Sequence, residues 1–345
     1  MLISNLEYFL LFVITYVIVG VLTPVMRKIA INKKILDQPT SFHKSHTKAV
    51  PYLGGVAIII GVVIVSYTAL IFSNFTGSNF WLATSVLVPA FAMGLVGLLD
   101  DIRNLSPLPR FIAQSVAGLI VAAVLVFTKN VANPTGSTFL DILLTIVWVI
   151  GICNAINFFD NIDGGAAGTV AISSIFLTFL SIESGQYFVA ALSIVMAGAT
   201  LGFLIWNRTP ARIYMGDAGS LFLGVLLATL SIRLEPTTET TIASFAIPVM
   251  LLAIPILDTS IAVISRLQRR VSPFLGGKDH LSHRLVRFGV TRKMTAVVLW
   301  SLSLLFGLIA VLVTYINENY EGKIVFGGLL LWICLFIRFI NTPDQ

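Results

Sequence analysis

The chain has 345 residues, 57% of them hydrophobic and only 11% charged, with a mean hydropathy of +0.95 and a formal net charge of +6. Soluble domains carry about 25% charged residues, so the composition excludes a water-soluble globule and describes a polytopic membrane protein. Its two cysteines, Cys153 and Cys334, both fall in apolar runs, which excludes a disulfide framework or a cysteine-based zinc site.

A spanning helix needs about 20 mainly apolar residues, within a range of roughly 17–25. Eleven segments qualify: 2–26, 53–73, 80–99, 110–128, 139–159, 167–183, 186–206, 219–233, 241–264, 294–316 and 323–340. The eighth is the shortest. The expected fold is all-α, a helical membrane bundle forming a single domain over residues 1–345. The first run is too long for the apolar region of a removable signal peptide.

Lysine and arginine placement sets the expected orientation. Of the 22 such residues, all but Lys129, Arg233 and Lys323 fall in connections 27–52, 100–110, 160–166, 207–218 and 265–293, or at Arg338. Those loops and the C-terminus are therefore expected in the cytoplasm, with the N-terminus outside. The glutamates (Glu7, Glu183, Glu235, Glu239, Glu318, Glu321) fall on the opposite side, while most aspartates lie among the bases. An anionic leaflet explains the basic bias but not the gathering of aspartates.

The first basic loop, Asp37 to Gly55, carries His43, Lys44, His46 and Lys48. It suits phosphates, and ordinary positive-inside bias accounts for it equally well. After the third apolar run, Asp100 and Asp101 stand adjacent at a helix C-terminal end. The helix dipole is negative there, so the pair calls for a compensating cation, with Arg103 as the nearest choice.

The stretch Asn154 to Gly165, NAINFFDNIDGG, sits where one apolar run meets the next. If the helix continues through it, Asp160 and Asp163 share a face about 5–6 Å apart. Carboxylates that close repel unless a cation separates them. Carboxylate and amide oxygens suit a hard ion such as magnesium, held with its waters and a substrate phosphate. A polar, acid-capped helix end is the bland alternative.

In the fourth loop, Asp217 and Ser220 open the eighth run, where a helix N-terminus favours phosphate. Arg208 and Arg212 are four apart. An aspartate N-cap is the competing reading for Asp217. The last basic loop places His280 and His283 three apart with Arg284 adjacent. A zinc site would want a third protein ligand, and none is near; contact with an anionic substrate fits better. Asp258 lies eight residues before Arg266, about 12 Å along the helix, and an intramembrane carboxylate is a functional candidate by default.

Taken together, these loops resemble the polyprenyl-phosphate N-acetylhexosamine-1-phosphate transferases. The similarity runs from the D-x-P loop at Asp37 to the histidine motif. Asp100 and Asp101 match the family's aspartate pair, residues 154–164 its N-A-x-N-x-x-D-x-x-D-G motif, residues 216–220 its G-D-x-G-S, and His280 to Arg284 its H-x-x-H-R. The histidine motif looks nearer the N-acetylglucosamine branch than the phospho-MurNAc-pentapeptide branch. Gly165 and Ser282 depart from the pattern, as does one extra residue between Pro39 and Lys44.

The resemblance implies a magnesium-dependent reaction, with manganese as a substitute ion. Polyprenyl phosphate would attack a UDP-N-acetylhexosamine, giving a polyprenyl-diphospho-sugar and UMP. It implies that Asp217 binds the metal with Asp101 and Asp160. Asp100 deprotonates or orients the lipid phosphate with Asp101 in support, and Asp160, Asp163, Asn154 and Asn157 hold nucleotide and metal. Lys44, His46, Arg212, His280, His283 and Arg284 hold phosphate or sugar. The implied partners are the two substrates and membrane lipids, without nucleic acid; a homodimer is compatible. The alternatives are a phospho-MurNAc-pentapeptide translocase and, in another class, a secondary transporter for an anionic solute.

Overall fold

The computed structural model describes residues 3–37, 49–72, 77–103, 105–127, 137–238, 240–273 and 277–342. Lys44 and His46 lie outside the described residues. The helices are α1 (Asn5–Asn32), α2 (Gly54–Phe72), α3 (Gly77–Arg103), α4 (Pro107–Phe127), α5 (Thr138–Phe159), α6 (Gly165–Glu183), α7 (Tyr187–Asn207) and α8 (Gly216–Ile232). They continue with α9 (Thr241–Leu251), α10 (Ala253–Gln268), α11 (Leu281–Arg287), α12 (Arg292–Tyr315) and α13 (Glu318–Ile340). A two-residue hairpin, β1 (Leu36–Asp37) with β2 (Val50–Pro51), pairs antiparallel beside the first basic loop.

Each of the eleven apolar segments is helical over most of its described residues. Among the described residues nine helices are long and apolar enough to cross a membrane. The ninth segment is broken: α9 and α10 meet at 73°. Pro255 has no N–H to give Leu251, four residues back. The freed Leu251 carbonyl accepts the Ser173 hydroxyl at 2.7 Å instead, and the Ala253 carbonyl accepts the Trp332 indole at 3.0 Å. Neighbouring side chains thus satisfy backbone groups that lipid could not.

Helix α8 is the hub. Every residue from Ala218 to Ser231 is buried, packed against α2, α3 and α5. A helix enclosed by protein need not match the bilayer thickness, which accounts for its 17 residues. Glycines permit the close packing: a Cβ on Gly97 of α3 would lie 2.1 Å from the Asp217 carbonyl oxygen. At the periphery, α1 and α13 present Phe9, Val21, Phe326 and Leu330 outward, the apolar surface that a lipid solvent favours and water does not.

Candidate functional site

Because successive helices alternate in direction, the C-terminal ends of α3, α5, α7 and α10 meet the N-terminal ends of α4, α6, α8 and α12 on one face. The sequence motifs collect there. Asp101, at the end of α3, accepts the N–H of Asp217 at 2.8 Å and of Ala218 at 3.1 Å. These are the donors a capping side chain normally satisfies. The residue in the cap position of α8, Met215, has no oxygen to offer, so Asp101 supplies the cap from another helix. Gly216, at φ +67, makes room: a Cβ there would stand 2.5 Å from Asp101 Oδ2.

The cation that the acid pair calls for is Arg110, on the first turn of α4. Its Nη1 lies 2.7 Å from Asp100 Oδ2 and 2.9 Å from Asp217 Oδ2. Asp100 Oδ1 accepts the Leu105 N–H at 2.6 Å. Asn157 donates from Nδ2 to Asp217 Oδ1 and to Ser220 Oγ, both at 2.9 Å. Asp100, Arg110, Asn157, Asp217 and Ser220 therefore form one connected group drawn from four helices.

Asn154 stands apart from it. Its Nδ2 donates to Gln114 Oε1 at 2.7 Å, and the Gln114 amide returns a longer bond at 3.4 Å. This amide pair locks α4 to α5 one turn below the carboxylates. The partly buried Asn154 amide, expected to hold nucleotide and metal, also donates to the Ile150 carbonyl at 2.8 Å.

The helix does not continue through the acidic stretch. It stops at Phe159, and Asp160 to Gly164 form a turn before α6. Asp160 and Asp163 are accordingly not stacked on one helical face. Asp163 Oδ2 accepts the Ala211 N–H at 2.9 Å, tying this turn to the 208–215 loop. Asp160 stays near the carboxylate group. Burial, then the charges of Asp217 and Asp163, push its carboxyl up to about 7. Gly164 takes a left-handed φ of +73, where glycine is favoured. Its N–H binds Asn207 Oδ1 at 3.0 Å and its carbonyl accepts the Trp300 indole at 3.1 Å.

Arg208 and Arg212 do not share a helical face, because the segment between α7 and α8 is irregular. Arg212 is exposed and its guanidinium lies 5.6 Å from the Trp206 ring centroid. Tyr52 and Tyr214, which the motifs did not mark, lie beside the acids. Both hydroxyls are held above their usual range by burial first. Asp37, Asp101 and Asp217 add to this at Tyr52, as do Asp163, Asp37 and Asp160 at Tyr214.

In the histidine motif, His280 and Arg284, expected to meet phosphate or sugar, are both buried and engaged by protein groups. His280 Nδ1 lies 2.8 Å from Asp258 Oδ2, and its Nε2 lies 3.1 Å from Arg266 Nη2. Asp258 Oδ1 accepts the Leu281 N–H at 2.7 Å. Arg266 also makes a two-point pair with Asp279 at 2.8 and 2.9 Å. Burial raises the Asp279 carboxyl, but this pairing outweighs it and the group is held low. Arg284 is 1% exposed and donates to the carbonyls of Asp279, Phe339, Ile340 and Thr342 and to Ser265 Oγ. It ends α13 by satisfying its last carbonyls.

His283 is partly buried, with its ring edge-on to His280 at 6.1 Å between centroids. Burial, then His280, hold it down at about 4, so it is neutral at physiological pH. Ser282, at a position where the sequence departs from the family pattern, donates its hydroxyl to Asn161 Oδ1 and so links α11 to the acidic turn.

Among the described residues, no three His, Cys, Asp or Glu side chains are gathered closely enough to hold a metal. Asp100, Asp217 and Ser220 nevertheless present a set of oxygens, with the Asn157 amide nitrogen holding Asp217 and Ser220 in place. Magnesium is commonly bound by one or two carboxylates with waters and substrate phosphates, and this donor set fits it. Asp101 has both oxygens engaged by the α8 backbone, so it supports the set from behind.

A multi-pass helical bundle with charged groups converging at one end of its buried hub helix describes an integral-membrane protein with a polar site at one membrane end. The chain belongs to the polyprenyl-phosphate N-acetylhexosamine-1-phosphate transferases of glycosyl transferase family 4, whose family model matches residues 83–235. It is 32% identical, over 95% of its length and 87% of the relative's, to a probable undecaprenyl-phosphate N-acetylglucosaminyl 1-phosphate transferase of Bacillus subtilis. It is 30% identical to a decaprenyl-phosphate N-acetylglucosaminephosphotransferase of Mycobacterium leprae, covering 83% of this chain and 79% of that one. A phospho-N-acetylmuramoyl-pentapeptide-transferase of Staphylococcus saprophyticus is 28% identical, covering 86% and 94%.

Proposed function

We propose that the protein transfers N-acetylglucosamine 1-phosphate from its UDP-sugar to a polyprenyl phosphate at the cytoplasmic face of the cell membrane, the first step of a cell-envelope glycan. A lipid-phosphate oxygen forms a bond to the sugar-linked phosphorus. The bond from that phosphorus to the bridging oxygen breaks, and UMP leaves with the electron pair. With a dianionic acceptor the charges balance without a proton. The observation that carries this reading is the Asp100–Arg110–Asp217–Asn157 group at the membrane end of α8.

A groove of about 330 Å³ supports it. Phe111, Ile112, Ser115, Val116 and Leu119 of α4 and Ile146 of α5 line it, beginning one residue from Arg110. An isoprenoid chain lying there would bring its phosphate to the carboxylate group. Magnesium, held by Asp217 and Asp100 with Asn157, would offset phosphate charge. Asp160, Arg212 and His283 are the proposed donor contacts, together with Lys44 and His46 of the first basic loop. Family membership favours transfer over solute transport.

The test is UMP release by purified protein in nanodiscs with undecaprenyl phosphate and a panel of UDP-sugars, with and without EDTA. Magnesium-dependent UMP from UDP-N-acetylglucosamine is expected. Release only from UDP-MurNAc-pentapeptide would move the protein to the peptidoglycan branch. No release from any donor would overturn the transfer reading.

A further inference from the structure

Arg110 stands where a divalent cation would be expected. Its Nη1 bridges one oxygen of Asp100 and one of Asp217. The other oxygen of each is engaged, by the Leu105 N–H and by Asn157. The carboxylate oxygens best placed for a metal are thus the ones Arg110 holds. Asp217 is fixed on the enclosed hub helix, and Asp100 is buried at the end of α3. Arg110 is the long, flexible member, and its side chain is 27% exposed beside the apolar groove.

We propose that Arg110 occupies the cation's place between Asp100 and Asp217 in the free enzyme, and releases Asp217 only as substrate phosphate and the divalent ion arrive together. The proposal rests on the transfer reading above. In the exchange, the guanidinium loses a carboxylate and gains phosphate oxygens, whose geometry its planar fork matches. Asp217 loses a monovalent partner and gains a divalent one. No carboxylate of the pair is left facing another without a cation in either state. One side chain thereby couples phosphate binding to metal binding, and the free enzyme holds its metal weakly.

The size of the effect follows from electrostatics. An opposite charge at this distance changes a carboxylate's affinity for a proton by about one to three powers of ten. The same field opposes a metal ion, so removing it should tighten metal binding roughly tenfold or more.

The experiment titrates Mn²⁺ into the full-length protein in nanodiscs. Free Mn²⁺ is read by electron paramagnetic resonance, with and without UMP. Wild type, Arg110→Gln and Arg110→Lys are compared, with size-exclusion profiles reporting that each is folded. Without UMP, Arg110→Gln is expected to bind Mn²⁺ roughly tenfold tighter than wild type, and Arg110→Lys, which keeps the charge, to stay near wild type. UMP should tighten Mn²⁺ binding to wild type and have a smaller effect on Arg110→Gln. Equal Mn²⁺ affinity in wild type and Arg110→Gln, or equal tightening in the Lys and Gln variants, would overturn the proposal while leaving transfer intact. No Mn²⁺ binding to any variant, with or without UMP, would overturn the proposal and the metal-dependent reading together.

Discussion

Asp101 caps the helix that carries Asp217, accepting the N–H groups of Asp217 and Ala218 across the α3–α8 interface. The adjacent acids at the end of α3 therefore do different jobs: Asp101 holds α8 in place, and Asp100 shares Arg110 with Asp217. The negative end of the α3 dipole, unfavourable for acids on its own, is offset by the positive end of α8 and by the guanidinium.

Replacing Asp101 should therefore act first on stability. Asp101→Ala removes an N-cap and strands two backbone donors, a loss of about 2–3 kcal/mol. Asp101→Asn keeps one acceptor oxygen and should recover about half of that loss. The measurement is the thermal unfolding midpoint in detergent. An Asp101→Ala protein that melts with wild type yet has no activity would show that Asp101 acts on substrate or metal directly.

Arg284 offers a sharper separation of structure from chemistry. A phosphate ligand would change donor affinity when altered, whereas a buried cap would change stability. Lysine cannot reach four carbonyls and a hydroxyl from one ammonium. Arg284→Lys should lower the unfolding midpoint, at a cost of about 2–3 kcal/mol, and leave the donor KM unchanged. A raised KM with an unchanged midpoint would return Arg284 to the substrate.

The apolar runs and the motif aspartates were legible because each is a local property of the chain, whereas the break within 241–264 was not. Run length marks a helix, and aspartates stand out in a membrane sequence. The direction a side chain takes at a helix end was not legible. Arg103 is the nearer base along the chain, and only the packing of α4 against α3 and α5 brings Arg110 to the acids. His280 and His283 look alike in sequence. The buried Asp258 carboxylate holds His280 and the Leu281 N–H, while His283 is only partly buried. Ser282 departs from the family pattern, and its contact with Asn161 is a link between loops.

His283 gives the pH prediction. Its folded pKa of about 4 lies below the ordinary 6.5 because of burial and the neighbouring His280, with Arg287 adding to the effect and Asp258 and Asp279 opposing it. Between those values the unfolded chain takes up a proton that the folded chain refuses. The associated stability is present above pH 6.5 and is lost as pH falls toward 4. His283→Gln has no such proton to refuse. The unfolding midpoint of wild type should fall more steeply between pH 7 and 5 than that of His283→Gln. Parallel curves would place His283 in water.

Asp100 decides between a base and an anchor. Both of its oxygens are engaged, one by the Leu105 N–H and one by Arg110, so it would have to release one of these partners to take a proton from substrate. The acceptor scarcely needs it to, since a phosphate monoester loses its second proton near pH 6 and is mostly dianionic at pH 7. An anchor that fixes Arg110 predicts that Asp100→Asn lowers kcat by roughly tenfold, the scale of one charge-assisted hydrogen bond, with the rate rising through pH 6 and levelling by pH 8 as in wild type. A base predicts that the pH profile changes shape, because the titrating group is gone. The measurement is UMP release at saturating substrates across pH 6–8. A profile that loses its rise in the variant would give the proton to Asp100, and one that keeps it at a lower ceiling leaves the proton with the lipid phosphate.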